Sequence, residues 1–62
     1  MKRRSKIDKV AHVVFLRDGT RWVIDPMDEQ TVRQWPLQDE IEYDLSGLNN
    51  LTRNKKIRAM QV

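Results

Sequence analysis

The chain has 62 residues, enough for a single domain with one small hydrophobic core. It contains no cysteine and one histidine, which excludes disulfides, thiolate metal sites and a zinc site built on His12. No apolar run approaches the roughly 18 residues of a membrane-spanning helix. We therefore expect a cytoplasmic protein that is not inserted in a membrane.

Charge is unevenly distributed around the net value of +3. Residues 1–9 hold five basic side chains and one acidic side chain, and residues 45–62 hold four basic side chains and no acidic one. Residues 17–44 hold three arginines and eight carboxylates. Both ends of the chain are therefore basic, and its middle is acidic.

Residues 1–5 lack apolar side chains after Met1 and are predicted to form a flexible basic arm, which leaves residues 6–62 as the single folded domain. Two β-prone runs flank Asp18-Gly19 and predict a hairpin. A two-residue turn would place Phe15 opposite Trp22 and Val13 opposite Ile24, and we favour this register. A three-residue turn with a bulge at Gly19 would instead pair Val14 with Trp22 and His12 with Ile24.

The segment from Asp25 to Glu29 has the features of a helix start, with a capping aspartate, a proline at the first position and acidic residues in the first turn. Because β-branched Thr31 and Val32 follow, we predict one helical turn at 26–30 and a short strand at 31–35. A nine-residue helix with Met27, Thr31 and Trp35 on one side is the alternative.

Residues 40–45 alternate between acidic and apolar side chains, which predicts a half-buried strand with Ile41, Tyr43 and Leu45 facing inward. Ser46-Gly47 and Asn49-Asn50 are typical of a loop. A tight turn at 53–55 and a last strand that buries Ile57 or Ala59 complete the chain.

The sum is a mainly β fold of about five short antiparallel strands with turn signals every eight to twelve residues, as in a small barrel. One pattern runs through it: Asp18-Gly19-x-x-Trp22-x-Ile24-x-Pro26-x-Asp28, then Trp35-x-x-x-Asp39-x-Ile41, then Asn50. Over residues 13–62 the chain resembles small, mostly uncharacterised bacterial proteins that form SH3-like or OB-like barrels. The resemblance implies this fold and no particular activity. Many of these proteins have glycine where this chain has Gln38.

Groups for catalysis are sparse. The two serines, Ser5 and Ser46, lie in the predicted arm and beside a loop glycine, without the strand-to-helix turn that exposes a nucleophile. The carboxylates are explained by a helix start and by the solvated face of a strand. We therefore expect a non-enzymatic protein without a metal or another cofactor.

Binding is the remaining function class, and we favour a small interaction or adaptor module with a protein partner. The alternative is binding of RNA or single-stranded nucleic acid through a basic patch. If the first and last strands are adjacent, both basic ends merge into one polyanion-binding surface, which would comprise Lys2, Arg3, Arg4, Lys6, Lys9, Arg53, Lys55, Lys56 and Arg58. An exposed Trp35 beside Tyr43 would stack on a base or line a peptide groove.

Overall fold

The computed structural model describes residues 2–62, which form eight short strands and one helix. In chain order these are β1 (Arg3–Ser5), β2 (Ile7–Val10), β3 (Val13–Leu16), β4 (Arg21–Ile24), α1 (Pro26–Arg33), β5 (Ile41–Asp44), β6 (Gly47–Asn50), β7 (Lys55–Ile57) and β8 (Ala59–Gln61). The strands build two antiparallel sheets, sheet A in the order β1-β5-β6-β7 and sheet B in the order β2-β3-β4-β8.

Two chain segments contribute a strand to each sheet. Lys6 separates β1 from β2, and Arg58 separates β7 from β8, so each segment passes from an edge of sheet A to an edge of sheet B. The mainly β fold with a short helix is confirmed. The expected count of five strands and the single closed barrel are wrong, because these two segments change sheets and form two short strands each, and because part of the predicted loop is strand β6.

The core lies between the two sheets and under the helix. Its ten buried apolar side chains are Ile7, Val14, Leu16, Trp22, Ile24, Val32, Trp35, Ile41, Leu48 and Ile57. Eight of the ten are Ile, Val or Leu, and full burial of one such side chain contributes about 1.5–3 kcal/mol, so this core is substantial for a chain of this length.

The hairpin between β3 and β4 forms, but with the alternative register. Val14 lies opposite Trp22, and the amide of Leu16 donates to the carbonyl of Thr20 at 3.0 Å, which closes a three-residue loop. The favoured pairing of Phe15 with Trp22 is wrong because Gly19, at φ +91°, takes the left-handed position of a bulged turn. His12 does not pair with a strand residue; it lies exposed in the bend between β2 and β3.

Helix α1 covers Pro26–Arg33, so the predicted strand at 31–35 is wrong and the helical alternative is closer. The side chain of Asp25 caps the helix by accepting a hydrogen bond from the amide of Met27 at 2.8 Å. Burial of Val32 outweighs the weak helix propensity of a β-branched residue. Met27 is exposed, whereas Trp35, which the alternative placed on the same side of the helix, is buried. Among residues 2–62 there is no helix with the length and apolarity that crossing a bilayer requires.

The predicted strand at 40–45 exists as β5, with Ile41 buried and Tyr43 half-buried. Leu45 is 95% exposed rather than inward, because Asp44 pairs with Gly47 and leaves Leu45 in the turn between β5 and β6. Asn50 belongs to a strand rather than a loop. The last strands bury Ile57 as predicted.

The segment predicted as a flexible arm contains strand β1. Arg4 lies opposite Glu42 and Ser5 opposite Ile41 on β5, so this part of the arm prediction is corrected for residues 3–5. Pairing satisfies the backbone groups of β5 along an edge that would otherwise be open. Met1 lies outside the described residues.

Candidate functional site

The two basic clusters lie at opposite edges of sheet A. Strands β5 and β6 separate β1 from β7, which at about 4.8 Å per strand puts the two edges about 14 Å apart. Across the outer face of this sheet one row of side chains reads Arg4, Glu42, Asn49, Lys56. The structure therefore does not join the nine basic residues into one uninterrupted patch.

Carboxylates occupy the space between the clusters. Glu42 lies 3.8 Å from the Lys2 ammonium and 3.9 Å from Nε of Arg4, and Glu40 lies 3.8 Å from Lys6. The hydrogen bonds from Ser46, followed by the nearby Lys56 and Lys2 ammonium groups, lower the pKa of Asp44. A polyanion on this face would therefore meet carboxylates between the two basic clusters.

The remaining basic residues have different surroundings. Arg53 donates from Nε to the carboxylate of Asp39 at 2.8 Å, and the ammonium of Lys9 lies 4.8 Å from the centre of the Phe15 ring. Within residues 2–62, four members of the predicted set make neither a salt bridge nor a cation–π contact: Arg3, Lys55, Lys56 and Arg58.

The two aromatic candidates lie in different parts of the fold. Trp35 follows α1 and is only 6% exposed because it packs into the core, which corrects the expectation of an exposed indole. Tyr43 lies on β5, where its ring packs against Trp22 with 5.0 Å between the ring centres and a tilt of 56°. Trp35 and Tyr43 therefore do not form an open stacking platform together.

The hydroxyl of Tyr43 belongs to a hydrogen-bond network that joins the two sheets. It donates to the carboxylate of Asp18, which also accepts from the hydroxyl of Thr20 at 2.7 Å, and Thr20 in turn accepts from the indole of Trp22 at 3.0 Å. The hydrogen bond to Asp18 raises the pKa of Tyr43, and burial adds to this effect. Partial burial raises the pKa of Asp18, but hydrogen bonds from Tyr43 and Thr20 outweigh it and leave that pKa lowered.

A surface that the sequence did not predict lies on the outer side of sheet B. We call it the sheet B face and define it by Val13, Phe15, Val23 and Met60. Val13 lies opposite Val23 and Val23 opposite Met60, so three strands contribute to one apolar row. Val23 is 43% exposed and Met60 is 73% exposed. The bulged register produces this face, because it turns Phe15 and Val13 outward when Val14 and Leu16 turn inward.

Cations border the sheet B face. Lys9 covers the ring of Phe15, and Arg21 lies opposite Phe15 on the neighbouring strand. Neither Lys9 nor Arg21 makes a salt bridge with another residue of 2–62. The outward side chains of β3, β4 and β8 include no carboxylate, and the exposed carboxylate of β2, Asp8, makes no salt bridge with Lys9 or Arg21.

A groove of about 530 Å³ continues the sheet B face toward the turn between β5 and β6. Val23, Ile24, Ala59 and Met60 supply its apolar lining, and Asp25 and Arg58 are its charged members. A flat apolar row that ends in a groove is suited to receive a protruding side chain of another protein.

The residues considered for catalysis lie in separate elements. Ser5 is in β1, His12 is in the bend before β3, and Ser46 is in the turn after β5, where its hydroxyl donates to Asp44 at 2.5 Å. In the part of the chain that the structure describes, no three histidine, aspartate or glutamate side chains are grouped so that they could hold a metal ion.

Comparison of the chain with protein-family models, curated proteins and solved structures found no match in any of the three.

Proposed function

We propose that the chain is a small, non-catalytic interaction module that binds another protein through the sheet B face. The apolar row of half-buried Val13 and exposed Val23 and Met60 carries this proposal. A contiguous apolar patch on a small domain costs hydration free energy that a partner's surface removes, and such patches mark interaction sites. The row lies on paired strands, so little conformational entropy is lost when it is covered.

The charge around this face defines the chemistry of the partner. Lys9 and Arg21 border the apolar row and have no carboxylate of residues 2–62 as a salt-bridge partner. A complementary surface therefore has an apolar centre and aspartate or glutamate at its rim. The rim charges would set the orientation and rate of association more than the affinity.

Nucleic-acid binding is the second candidate, and one observation favours it. Arg3, Lys55, Lys56 and Arg58 make no salt bridge within the described residues. These four cations are the part of the predicted polyanion surface that is available for phosphates. The carboxylates between β1 and β7 and the burial of Trp35 make this candidate the weaker one.

Two finer expectations from the sequence, the type of fold and the location, belong to the same proposal. Although the two sheets do not close into a barrel, their arrangement would be an open variant of the SH3-like or OB-like folds of small bacterial proteins. The support for this is that both the first and the last segment bend from one sheet into the other. A cytoplasmic location is supported by a composition that includes no cysteine.

The test of the proposed function uses the two exposed methionines as a matched pair. A photo-crosslinking amino acid is placed at position 60, on the sheet B face, or at position 27, on helix α1. We expect a protein adduct from position 60 that position 27 does not give. The purified partner is then titrated with the wild-type chain, Met60→Asp and Met27→Asp by calorimetry. A buried carboxylate in the interface should weaken binding by about 100-fold for Met60→Asp, and Met27→Asp should bind as the wild type does.

Equal adducts from both positions, or equal affinities of both aspartate variants, would exclude the sheet B face as the docking surface. The nucleic-acid candidate would be favoured instead if nuclease treatment abolished the capture of the partner and if a Lys55→Glu/Lys56→Glu variant also failed to capture it.

A further inference from the structure

A second concavity lies between the end of helix α1 and the start of β7. We call it the α1 groove and define it by its lining residues Thr31, Gln34, Trp35, Arg53 and Lys55. Its volume is about 220 Å³. One water occupies about 30 Å³ of liquid, so the groove has room for a small polyatomic ion and part of the molecule that bears it.

Every residue that lines the α1 groove has a side-chain hydrogen-bond donor, and none has a carboxylate. The donors are a hydroxyl, a side-chain amide, an indole N–H, a guanidinium and an ammonium group. Lys55 makes no salt bridge within residues 2–62. A concavity that combines two cations with neutral donors has the chemistry that recognises an anion.

The guanidinium of Arg53 is held in place by a buried polar pair. Asp39, only 3% exposed, accepts from Nε of Arg53 at 2.8 Å and from the side-chain amide of Asn50 at 2.9 Å. The side-chain oxygen of Asn50 accepts from the backbone amide of Arg53 at 2.9 Å. The backbone and the side chain of Arg53 are therefore both fixed before any ligand arrives.

This ion pair engages Arg53 through Nε alone, so the two terminal amino groups of the guanidinium take no part in it. Asp39 offsets one positive charge, and Lys55 supplies a second cation at the groove. The last carbonyl groups of α1 carry partial negative charge, which opposes the binding of an anion at this end of the helix. Arg33 in the last turn is paired with Glu29 at 2.7 Å and does not line the groove. Arg53 and Lys55 are thus the cations that face an incoming anion.

We propose that the α1 groove binds a phosphoryl group, carried by a small phosphorylated molecule. A phosphoryl group has three terminal oxygens in a tetrahedral arrangement and can accept from donors on several walls at once, whereas a carboxylate has two oxygens in one plane. The donors of the α1 groove come from three separate positions of the fold: the end of α1 with the two residues that follow it, the turn after β6, and the first residue of β7.

This inference is independent of the proposed protein binding, because the α1 groove shares no residue with the sheet B face. It shares Lys55 with the nucleic-acid candidate, and the titration with a phosphodiester described below separates these two. A chain that fails to bind protein through Met60 can still bind phosphate, and the converse also holds. The two experiments therefore fail separately.

The test is a titration of the ¹⁵N-labelled chain with inorganic phosphate, followed by amide chemical shifts at constant ionic strength. We expect saturable shifts confined to the backbone amides of residues 31–35 and 53–55. Lys55→Gln should weaken phosphate binding by about tenfold, since it removes one charged hydrogen bond. Lys56→Gln is the matched control, because it removes the same charge from the adjacent residue, which is outside the groove, and it should leave the affinity within about twofold of the wild type.

Arg53→Lys replaces the guanidinium but keeps the positive charge, so it tests whether the shape of the guanidinium matters. The amide spectrum of this variant reports whether the fold is retained. A folded Arg53→Lys chain should bind phosphate more weakly than the wild type. Equal effects of Lys55→Gln and Lys56→Gln, or shifts spread over all basic residues, would overturn the proposal in favour of general electrostatic attraction. Equal binding of acetate would overturn the assignment to phosphoryl groups.

The source of the phosphoryl group is distinguished by further titrations. Glycerol phosphate, a phosphoserine peptide and a dinucleotide phosphodiester are compared with inorganic phosphate. The proposal requires that glycerol phosphate bind at least as tightly as inorganic phosphate and more tightly than the other two. A clear preference for the phosphoserine peptide or for the phosphodiester would overturn the assignment to a small molecule.

Discussion

Asp18 is the residue that connects the hairpin loop of sheet B to a strand of sheet A. Its carboxylate accepts from Tyr43 on β5 and from both the amide and the hydroxyl of Thr20. The side chains of Asp18, Thr20 and Tyr43 are all at least partly open to water, which reduces the free energy that each of these hydrogen bonds contributes to stability. The sequence placed Asp18 in a turn and Tyr43 in a strand, but it did not predict that they meet.

The pair of Asp18 and Tyr43 makes stability depend on pH in a direction that can be tested. The pKa of Asp18 is lowered in the folded state, so its contribution is complete above the unfolded value of about 3.8 and is lost as pH falls below it. The pKa of Tyr43 is raised from 10.0, so its contribution is lost as pH rises through the folded value. Tyr43→Phe should therefore lower stability near neutral pH by about 0.5–1 kcal/mol and flatten the loss at both extremes.

Urea unfolding of the wild type and of Tyr43→Phe between pH 2.5 and pH 11 measures this dependence. Tyr43 also packs against Trp22, and phenylalanine keeps that ring contact, so the difference isolates the hydroxyl. Parallel pH profiles of the two proteins would show that the network does not contribute to stability.

The turn between β5 and β6 packs directly against the bend between β7 and β8. Gly47 has φ +142°, and a methyl group at this position would lie 2.2 Å from the carbonyl oxygen of Ile57. Neither the backbone conformation nor the available space tolerates a side chain. This contact holds the turn between β5 and β6 against the segment that passes from β7 into β8.

Gly47→Ala should therefore destabilise the fold by about 2–4 kcal/mol, more than backbone strain alone accounts for. Gly19→Ala is the control, because Gly19 also has a positive φ but has no atom within 4 Å of the added methyl group. We expect it to cost about 1 kcal/mol. Thermal and urea unfolding of both variants give the comparison, and equal losses would mean that the close approach to Ile57 is unimportant.

The elements that the sequence predicted correctly are those determined by residues adjacent to one another in the chain. Asp18-Gly19 is a strong turn signal, and the hairpin exists. Its register was not predictable from the strands, because Val13 to Leu16 are all apolar and show no alternation. The position of Gly19 in the loop decided it instead.

Long-range contacts account for the elements that the sequence did not predict. Asn50 is of a type common in loops, yet it is buried in β6 because its amide reaches Asp39, which is distant in the chain. Val32 favours strand by propensity, yet its burial against the core keeps α1 helical. The α1 groove depends on both, since Arg53 is positioned by Asp39 and Asn50. The sequence predicted Arg53 and Lys55 as members of a basic surface, but it did not predict that they line this groove.

The separation of charge along the chain becomes a mixed surface in the folded molecule. The acidic strand β5 lies beside basic β1 and one strand away from basic β7, so the ends of the chain flank its acidic middle. Lys2 and Arg4 face Glu42, and Lys6 faces Glu40. A net charge of +3 therefore overstates the positive potential that this face presents to a partner.

This arrangement predicts weak binding of single-stranded nucleic acid with a shallow salt dependence. A merged patch of nine cations would give a slope of log affinity against log salt near −6, whereas four cations without salt bridges give about −3 at most. Glu42→Gln should raise the affinity for an oligonucleotide by about fivefold, because it removes the carboxylate that faces Lys2 and Arg4. Fluorescence anisotropy at several salt concentrations measures both quantities, with Glu29→Gln on α1 as a control that removes the same charge from outside sheet A. A slope near −6 in the wild type, or an equal rise in affinity for Glu42→Gln and Glu29→Gln, would contradict the claim that the carboxylates of sheet A hinder the binding of a polyanion.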